Sequence, residues 1–410
     1  MATTAATVLE VAGDAGAGSH ASPVVPYLPL TTRLRYAAIV MAITKGVLGP
    51  LAYITELKNY YLSSSENRPD TIKTYPSRPT LPVRIFLPKS HTGPSPSTAR
   101  LPVLLTIHGG GFTIGQSQDN DAWNRAFAKT HNFLVVALNY RKAPGSPFPE
   151  GIHDIAAQIT DVLADPSLVP IIDNNRVALA GWSAGGNLTL AVSTLKHIKP
   201  LIKAVVPIYP VVDFVTHETA KVKTRPYKPS FGPSPVLGHT KDFLLMASPI
   251  FNWAYLTPGT TRVDDPLVSP IVLADQGRRD ELPRNVFMVA CELDMLAHEA
   301  WRMITRLAGR KVPTMEDKVG AEDLDEGAEG RGTPRGMILD DRDDGRWSFE
   351  EIKEDGSRYK WLLIPDAIHG FDQSLVGLIK DPKIKEDVTQ KTQQLIDIVG
   401  EWLLAGPLRT

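Results

Sequence analysis

The chain has 410 residues, 43% of them hydrophobic and 22% charged, with a formal net charge of −1 at pH 7. This balance describes a globular chain without the basic surplus that attracts nucleic acid, so the expected partner is a small molecule and no nucleic acid. The length admits two average domains or one large α/β domain with insertions. A single cysteine, Cys291, excludes an internal disulfide framework and fits a reducing, cytoplasmic location. It reads as a buried strand residue.

The start of the chain has no basic segment running into an apolar core and a small-residue cleavage site, so no secretory signal is expected. Residues 1–30 read as a disordered tail and 31–68 as N-terminal cap helices. Within them, Leu34 to Ile54 is apolar enough to suggest a membrane span, but Arg35, Lys45, Gly46 and Pro50 interrupt it. The reading adopted is a helix over the mouth of an active site, with Ile39, Ile43 and Leu48 turned toward the acyl pocket or the cap core and Arg35 and Lys45 near solvent. Shallow contact with a membrane surface through the same stretch is the alternative.

From residue 69 to 410 the pattern is one α/β domain. Thr71–Tyr75 and Pro82–Leu87 read as an antiparallel edge hairpin, and Pro102–His108 as a buried parallel strand running into Gly109-Gly110-Gly111-Phe112. Phe133–Tyr140 is a further strand and His153–Leu163 an amphipathic helix. Ala204–Tyr209 is next, after which the stretch at about 215–260, rich in proline and aromatic residues, breaks the alternation and reads as a cap insertion. Asn285–Cys291, a helix at 297–308, the strand Lys360–Ile364 and a closing helix at 384–404 complete the series. The glycine-rich acidic segment at about 313–358 reads as a mobile surface insertion. Its carboxylates Asp340, Asp341, Asp343 and Asp344 match no calcium-loop spacing. No metal and no cofactor are expected.

Gly181-Trp182-Ser183-Ala184-Gly185 stands where the β-prone run 176–180 meets a helical pattern at 187–197. A serine on so sharp a strand-to-helix turn is pushed out above the sheet, beside unpaired helix N–H groups able to stabilise an oxyanion. Three consecutive glycines at 109–111 can expose backbone N–H groups to the same oxyanion. Ester hydrolysis through serine also needs a base and a carboxylate to orient it. Asp294 and His369 follow two further strands, which places both at the carboxyl edge of the sheet with the serine. Glu292 competes with Asp294 for the acid role, but lies two residues closer to its strand. The order Ser, Asp, His is that of an α/β-hydrolase scaffold.

These motifs resemble the hormone-sensitive-lipase-like group of α/β-hydrolase carboxylesterases. The resemblance rests on His108-Gly-Gly-Gly-Phe112, Gly181-Trp-Ser-Ala-Gly-Gly-Asn187, Glu292-Leu-Asp294-Met-Leu296 and His369-Gly-Phe371, and covers roughly residues 70–404. It implies an α/β-hydrolase fold, a mostly parallel sheet with helices on both faces and a helical cap. It further implies Ser183 as nucleophile, His369 as general base and acid, Asp294 as its orienting partner, and N–H groups of Gly110, Gly111 and Ala184 as the oxyanion hole. The resemblance also implies that His108 holds the glycine loop in place, with Gly109 as motif support. Three positions depart from the family pattern: Trp182 stands for an aspartate, and Lys142 and Gly145 for a leucine and a glutamate.

The expected activity is a serine carboxylesterase acting on short- or medium-chain acyl esters of a small apolar molecule. An amidase, a lactonase or an acyltransferase would use the same triad. A non-catalytic ligand-binding protein on the hydrolase scaffold is the alternative from another class; such proteins typically lose the base, which is present here.

Overall fold

The computed structural model describes residues 24–48, 67–92, 95, 97–226, 242–320, 336–373 and 381–409. The acidic run 322–330 and the end of the Leu34–Ile54 stretch lie outside them.

Among the described residues nine strands form one sheet: β1 Thr71–Tyr75, β2 Arg78–Phe86, β3 Leu101–Ile107, β4 Leu134–Leu138, β5 Ile172–Trp182, β6 Ala204–Ile208, β7 Asn285–Cys291, β8 Ser348–Ile352 and β9 Arg358–Ile364. Their order is β1-β2-β4-β3-β5-β6-β7-β9-β8. The six from β4 to β9 in that order pair in parallel, and antiparallel strands close both edges. Every residue of β3 is buried, because a parallel strand is covered on both faces. Val103, Leu105 and Ile107 face one core and Leu104 the other.

Seven helices matter for the site: α1 Leu30–Met41, α2 Asp121–His131, α3 Glu150–Ala164, α4 Ala184–Ser193, α5 Phe243–Tyr255, α6 Ala297–Leu307 and α7 Pro382–Ala405. On one face α2 and α7 contribute Trp123, Phe127, Leu395, Val399 and Trp402 to the core. On the other, α3, α4 and α6 contribute Ile155, Leu188 and Ile304. Parallel strands force crossover connections, and those crossovers are the helices that cover the sheet.

Three elements differ from the sequence reading. The segment read as a surface insertion supplies β8, an edge strand antiparallel to β9 with Phe349 buried. Its Glu350 and Glu351 hid the strand pattern; they pair with Arg358 and Arg310, as charged edge residues can without disturbing the ladder. The cap stretch contains α5, whose periodicity is masked because apolar residues lie on nearly every face and Pro249 sits inside it. Asp242 caps this helix, accepting the Leu244 N–H at 2.9 Å.

The third difference is at α1. It packs against α5 through Tyr36, edge-on to Trp253 at 5.8 Å, and it buries Val40. Ile39 is half-buried, but Ile43 is exposed rather than turned inward. From Ala42 to Leu48 the helix passes into π geometry, whose wider turn rotates later residues out of phase. The segment before α1 is tied to the chain after α5: Val25 donates to the Thr261 carbonyl and accepts from Gly259, both at 3.0 Å. Among the described residues no helix is long and apolar enough to cross a membrane.

Candidate active site

Ser183 sits between β5 and α4 with φ 54° and ψ −116°, a left-handed conformation that a side chain rarely adopts. The Ser183 N–H donates to the Ile208 carbonyl at 2.9 Å, and its own carbonyl accepts the Asn187 N–H at 3.1 Å. The strained residue is thereby fixed to β6 and to α4. Asn187 in turn donates to the carbonyls of Val211 and Val268, both at 2.9 Å. A Cβ on Gly185 would collide with the carbonyls of Ile107 and His108, so only glycine lets α4 approach β3 this closely.

Imidazole and acid arrive from the loops after β9 and β7. His369 Nε2 lies 2.8 Å from Ser183 Oγ, and His369 Nδ1 lies 2.6 Å from Asp294 Oδ2. The other Asp294 oxygen accepts the Leu296 N–H at 2.9 Å. Asp294 is 1% exposed, which keeps its carboxylate from water. Burial alone would lower the His369 pKa, but the adjacent Asp294 charge and hydrogen bond, with Asp242 and Asp372 further off, raise it above the ordinary value.

Glu292 does not reach His369. Its Oε2 accepts the Asp366 N–H at 2.7 Å, so it braces the loop that carries the histidine. Asp366 lies in the left-handed region at φ 55°, which is the sharp turn this brace holds.

The glycine loop lies beside the elbow. Gly110 and Gly111 have φ of 109° and 57°, and among the described residues none accepts a hydrogen bond from either N–H. As the first residue of α4, Ala184 contributes an N–H without an intrahelical partner. A Cβ on Gly111 would run into the ring of Phe251 on α5, so this helix rests directly on the loop. Phe112, Phe214, Phe148 and Tyr255 form an aromatic group beside it, with Phe112 and Tyr255 stacked at 3.6 Å.

His108 is buried under the loop. Its Nδ1 meets the Gly109 carbonyl at 2.8 Å, and its ring stacks on Tyr140 at 4.5 Å. Burial, then the Lys142 charge, hold its pKa well below the ordinary range, so it stays neutral and donates from Nδ1. Lys142, in place of the family leucine, reaches His108 Nε2 at 3.2 Å and Asn139 Oδ1 at 3.0 Å. Its burial lowers the ammonium pKa to about 7.

Three contributors were not read from the sequence. Asp242 accepts the Met295 N–H at 2.8 Å while capping α5, and so joins the cap to the acid loop. Asp372 accepts the Trp182 indole N–H at 2.9 Å. Phe251 covers the glycine loop. Only the N-cap position of Asp242, ahead of an apolar run, carries a local signal; the other two depend on folding.

A serine hydrogen-bonded to an imidazole that is itself held by a buried carboxylate, beside free N–H groups, is the equipment of a serine hydrolase. The chain belongs to the α/β-hydrolase fold family, whose profile matches residues 104–320, and within its hormone-sensitive-lipase-like group it is an ester-hydrolysing serine hydrolase. It is 26% identical over 284 residues to arylacetamide deacetylase-like 2 of Homo sapiens, spanning 58% of this chain and 69% of that one. It is 27% identical over 243 residues to an arylesterase of Saccharolobus solfataricus, spanning 58% and 70%. Among solved structures, an ester hydrolase from the metagenome of Lake Arreo superposes with a TM-score of 0.56 at 20% identity, covering 92% of this chain and 99% of the other. The Pyrobaculum calidifontis esterase gives 0.55 at 19%, with the same coverage. Similarity at this level to solved structures bears on the fold.

Proposed function

We propose that the protein is a carboxylesterase for short- or medium-chain acyl esters of small apolar molecules, acting through an acyl-enzyme on Ser183. The observation that carries this reading is the unbroken chain Asp294–His369–Ser183 at 2.6 and 2.8 Å. In the first half-reaction Ser183 Oγ bonds to the ester carbonyl carbon while His369 Nε2 takes its proton. The developing oxyanion lies against N–H groups of Gly110, Gly111 and Ala184. Collapse breaks the acyl C–O bond, and His369 returns the proton to the departing alcohol oxygen. Water then repeats the sequence with His369 again as base, releasing the carboxylic acid and restoring Ser183. Asp294 holds the Nδ1–H tautomer and offsets the imidazolium charge.

The aromatic group beside the glycine loop supports an apolar substrate, and α5 with α1 forms the proposed cap over it. A panel of p-nitrophenyl esters of graded chain length tests the reading. Highest kcat/KM is expected between acetyl and octanoyl, with a fluorophosphonate labelling Ser183 stoichiometrically. Faster cleavage of the matching p-nitroanilides, or a preference for palmitoyl over all shorter chains, would overturn it.

A peripheral contact with an anionic membrane surface is the second element of the proposal. Leu30, Leu34 and Met41 fall within one narrow arc of α1 and are 66%, 61% and 56% exposed. Arg33 and Arg35 flank that arc, and residues 24–48 contain Lys45 but no Asp or Glu. An apolar stripe between cations suits an anionic lipid interface, whereas two copies meeting through it would oppose like charges. Co-sedimentation with phosphatidylserine-containing vesicles is expected, with loss in Leu34→Asp and in vesicles of phosphatidylcholine alone. Equal behaviour of wild type and Leu34→Asp, or a concentration-dependent dimer abolished by that substitution, would refute the contact.

A further inference from the structure

Trp182 occupies the position before the nucleophile where the family pattern has an aspartate, and its side chain meets a carboxylate supplied from elsewhere. Asp372 follows His369 by three residues. Its Oδ2 accepts the Trp182 indole N–H at 2.9 Å, and its Oδ1 accepts the hydroxyl of Tyr209. Gln373 adds a hydrogen bond to the Tyr209 hydroxyl at 3.1 Å. Trp182 is fully buried and edge-on to Trp123 at 5.0 Å, so its indole has little freedom to move. Tyr209, at φ 36° just past β6, sets its ring edge against the His369 imidazole with centroids 4.8 Å apart. One carboxylate is thus bound to the residue before the nucleophile, to a ring touching the base, and through the backbone to the base itself. Burial raises the Asp372 pKa above the ordinary carboxylate value, and the donors Tyr209, Trp182 and Gln373 work against that rise by favouring the ionised form.

We propose that Asp372 is a positioning residue, a second carboxylate that locks the nucleophile elbow to the histidine loop and adds negative potential where His369 becomes an imidazolium. The groups around His369 are Asp294 on Nδ1, Ser183 on Nε2, Tyr209 at its ring edge, Asp242 at the start of α5 and Asp372. Glu292 is engaged with the Asp366 N–H, and the Lys391 ammonium with the Pro365 carbonyl and Asp387. Asp294 orients the ring, whereas Asp372 touches neither substrate nor ring and acts through Trp182, Tyr209 and its charge. The role follows from geometry because no other described acceptor takes the Trp182 indole N–H, and the elbow is strained.

The test is the pH profile of kcat and KM, measured separately, in purified variants; the proposal rests on the serine-esterase reading. Asp372→Asn is expected to lower kcat roughly ten- to a hundredfold with KM within about twofold, because alignment at the elbow is disturbed. Its acid limb should move to lower pH by roughly 0.5 to 1 unit, since a negative charge near the imidazolium is gone. Tyr209→Phe retains that charge, so kcat should fall with the acid limb unmoved. Trp182→Phe removes the N–H donor together with part of the buried ring volume but retains the Asp372 charge, so kcat should fall with the acid limb unmoved; it keeps the question decidable if Asp372→Asn does not fold. An acid limb unchanged in Asp372→Asn, or wild-type kcat in both Trp182→Phe and Tyr209→Phe, would overturn the role of Asp372. Failure of the wild type to take fluorophosphonate would instead sink the esterase reading itself.

Discussion

Ser183→Ala is expected to abolish ester hydrolysis, lowering kcat on the order of 10⁶-fold, or about 8 kcal/mol of transition-state stabilisation. The expectation follows from the 2.8 Å contact of Ser183 Oγ with His369 Nε2, because without that hydroxyl no acyl-enzyme can form. The fold should survive, because the positive φ at 183 is held by backbone bonds to Ile208 and Asn187 rather than by the hydroxyl. Circular dichroism and the thermal midpoint should therefore match the wild type while fluorophosphonate labelling disappears. Turnover retained in a variant free of wild-type contamination would remove Ser183 from the mechanism.

The second large effect is expected at Asp294. Asp294→Asn places an amide where His369 Nδ1 needs an acceptor, which favours the wrong tautomer and should reduce kcat on the order of 10⁴-fold. Two controls make the assignment specific. Glu292→Gln keeps an oxygen for the Asp366 N–H and should cost far less. The acid limb of kcat/KM in the wild type should lie above about 6.5, since His369 must be neutral to act and its pKa is raised. Without the Asp294 charge, burial would dominate and the limb would move to lower pH. Equal losses in the two acid variants, or a limb that stays fixed in Asp294→Asn, would count against Asp294 as the orienting acid.

The strand ends were legible because parallel strands are written as short apolar runs, and the residues that follow them share one edge of the sheet. That is why Ser183, Asp294 and His369, far apart in the chain, could be placed at one edge from strand ends and chain order, with the family motifs implying their roles. The same logic fails for β8, where Glu350 and Glu351 answer to arginines rather than to the core. It fails for α5, whose apolar residues surround the helix and give no single face. The supports of the site were hidden for a different reason. Asp372 has meaning only beside Trp182, 190 positions away, and no local pattern links a carboxylate to an indole so distant. Glu292 could be weighed as a rival acid, but its role as a brace needed the backbone of the histidine loop in view.

Asp242 gives the cap an inheritance of its own. One carboxylate starts α5 and also receives the backbone N–H of Met295, the residue after Asp294. A chimera that imports the insertion of a relative would therefore carry in, or fail to carry in, part of the foundation under Asp294. Phe251 adds a second dependency, since its ring occupies the space a side chain at 111 would need. A support of the Asp294 loop and a contact on the glycine loop are in this way recorded on one thirteen-residue helix and its N-cap. Selection for a new substrate that reshapes that helix must preserve its first turn and the Phe251 face, while the remaining faces are open to change.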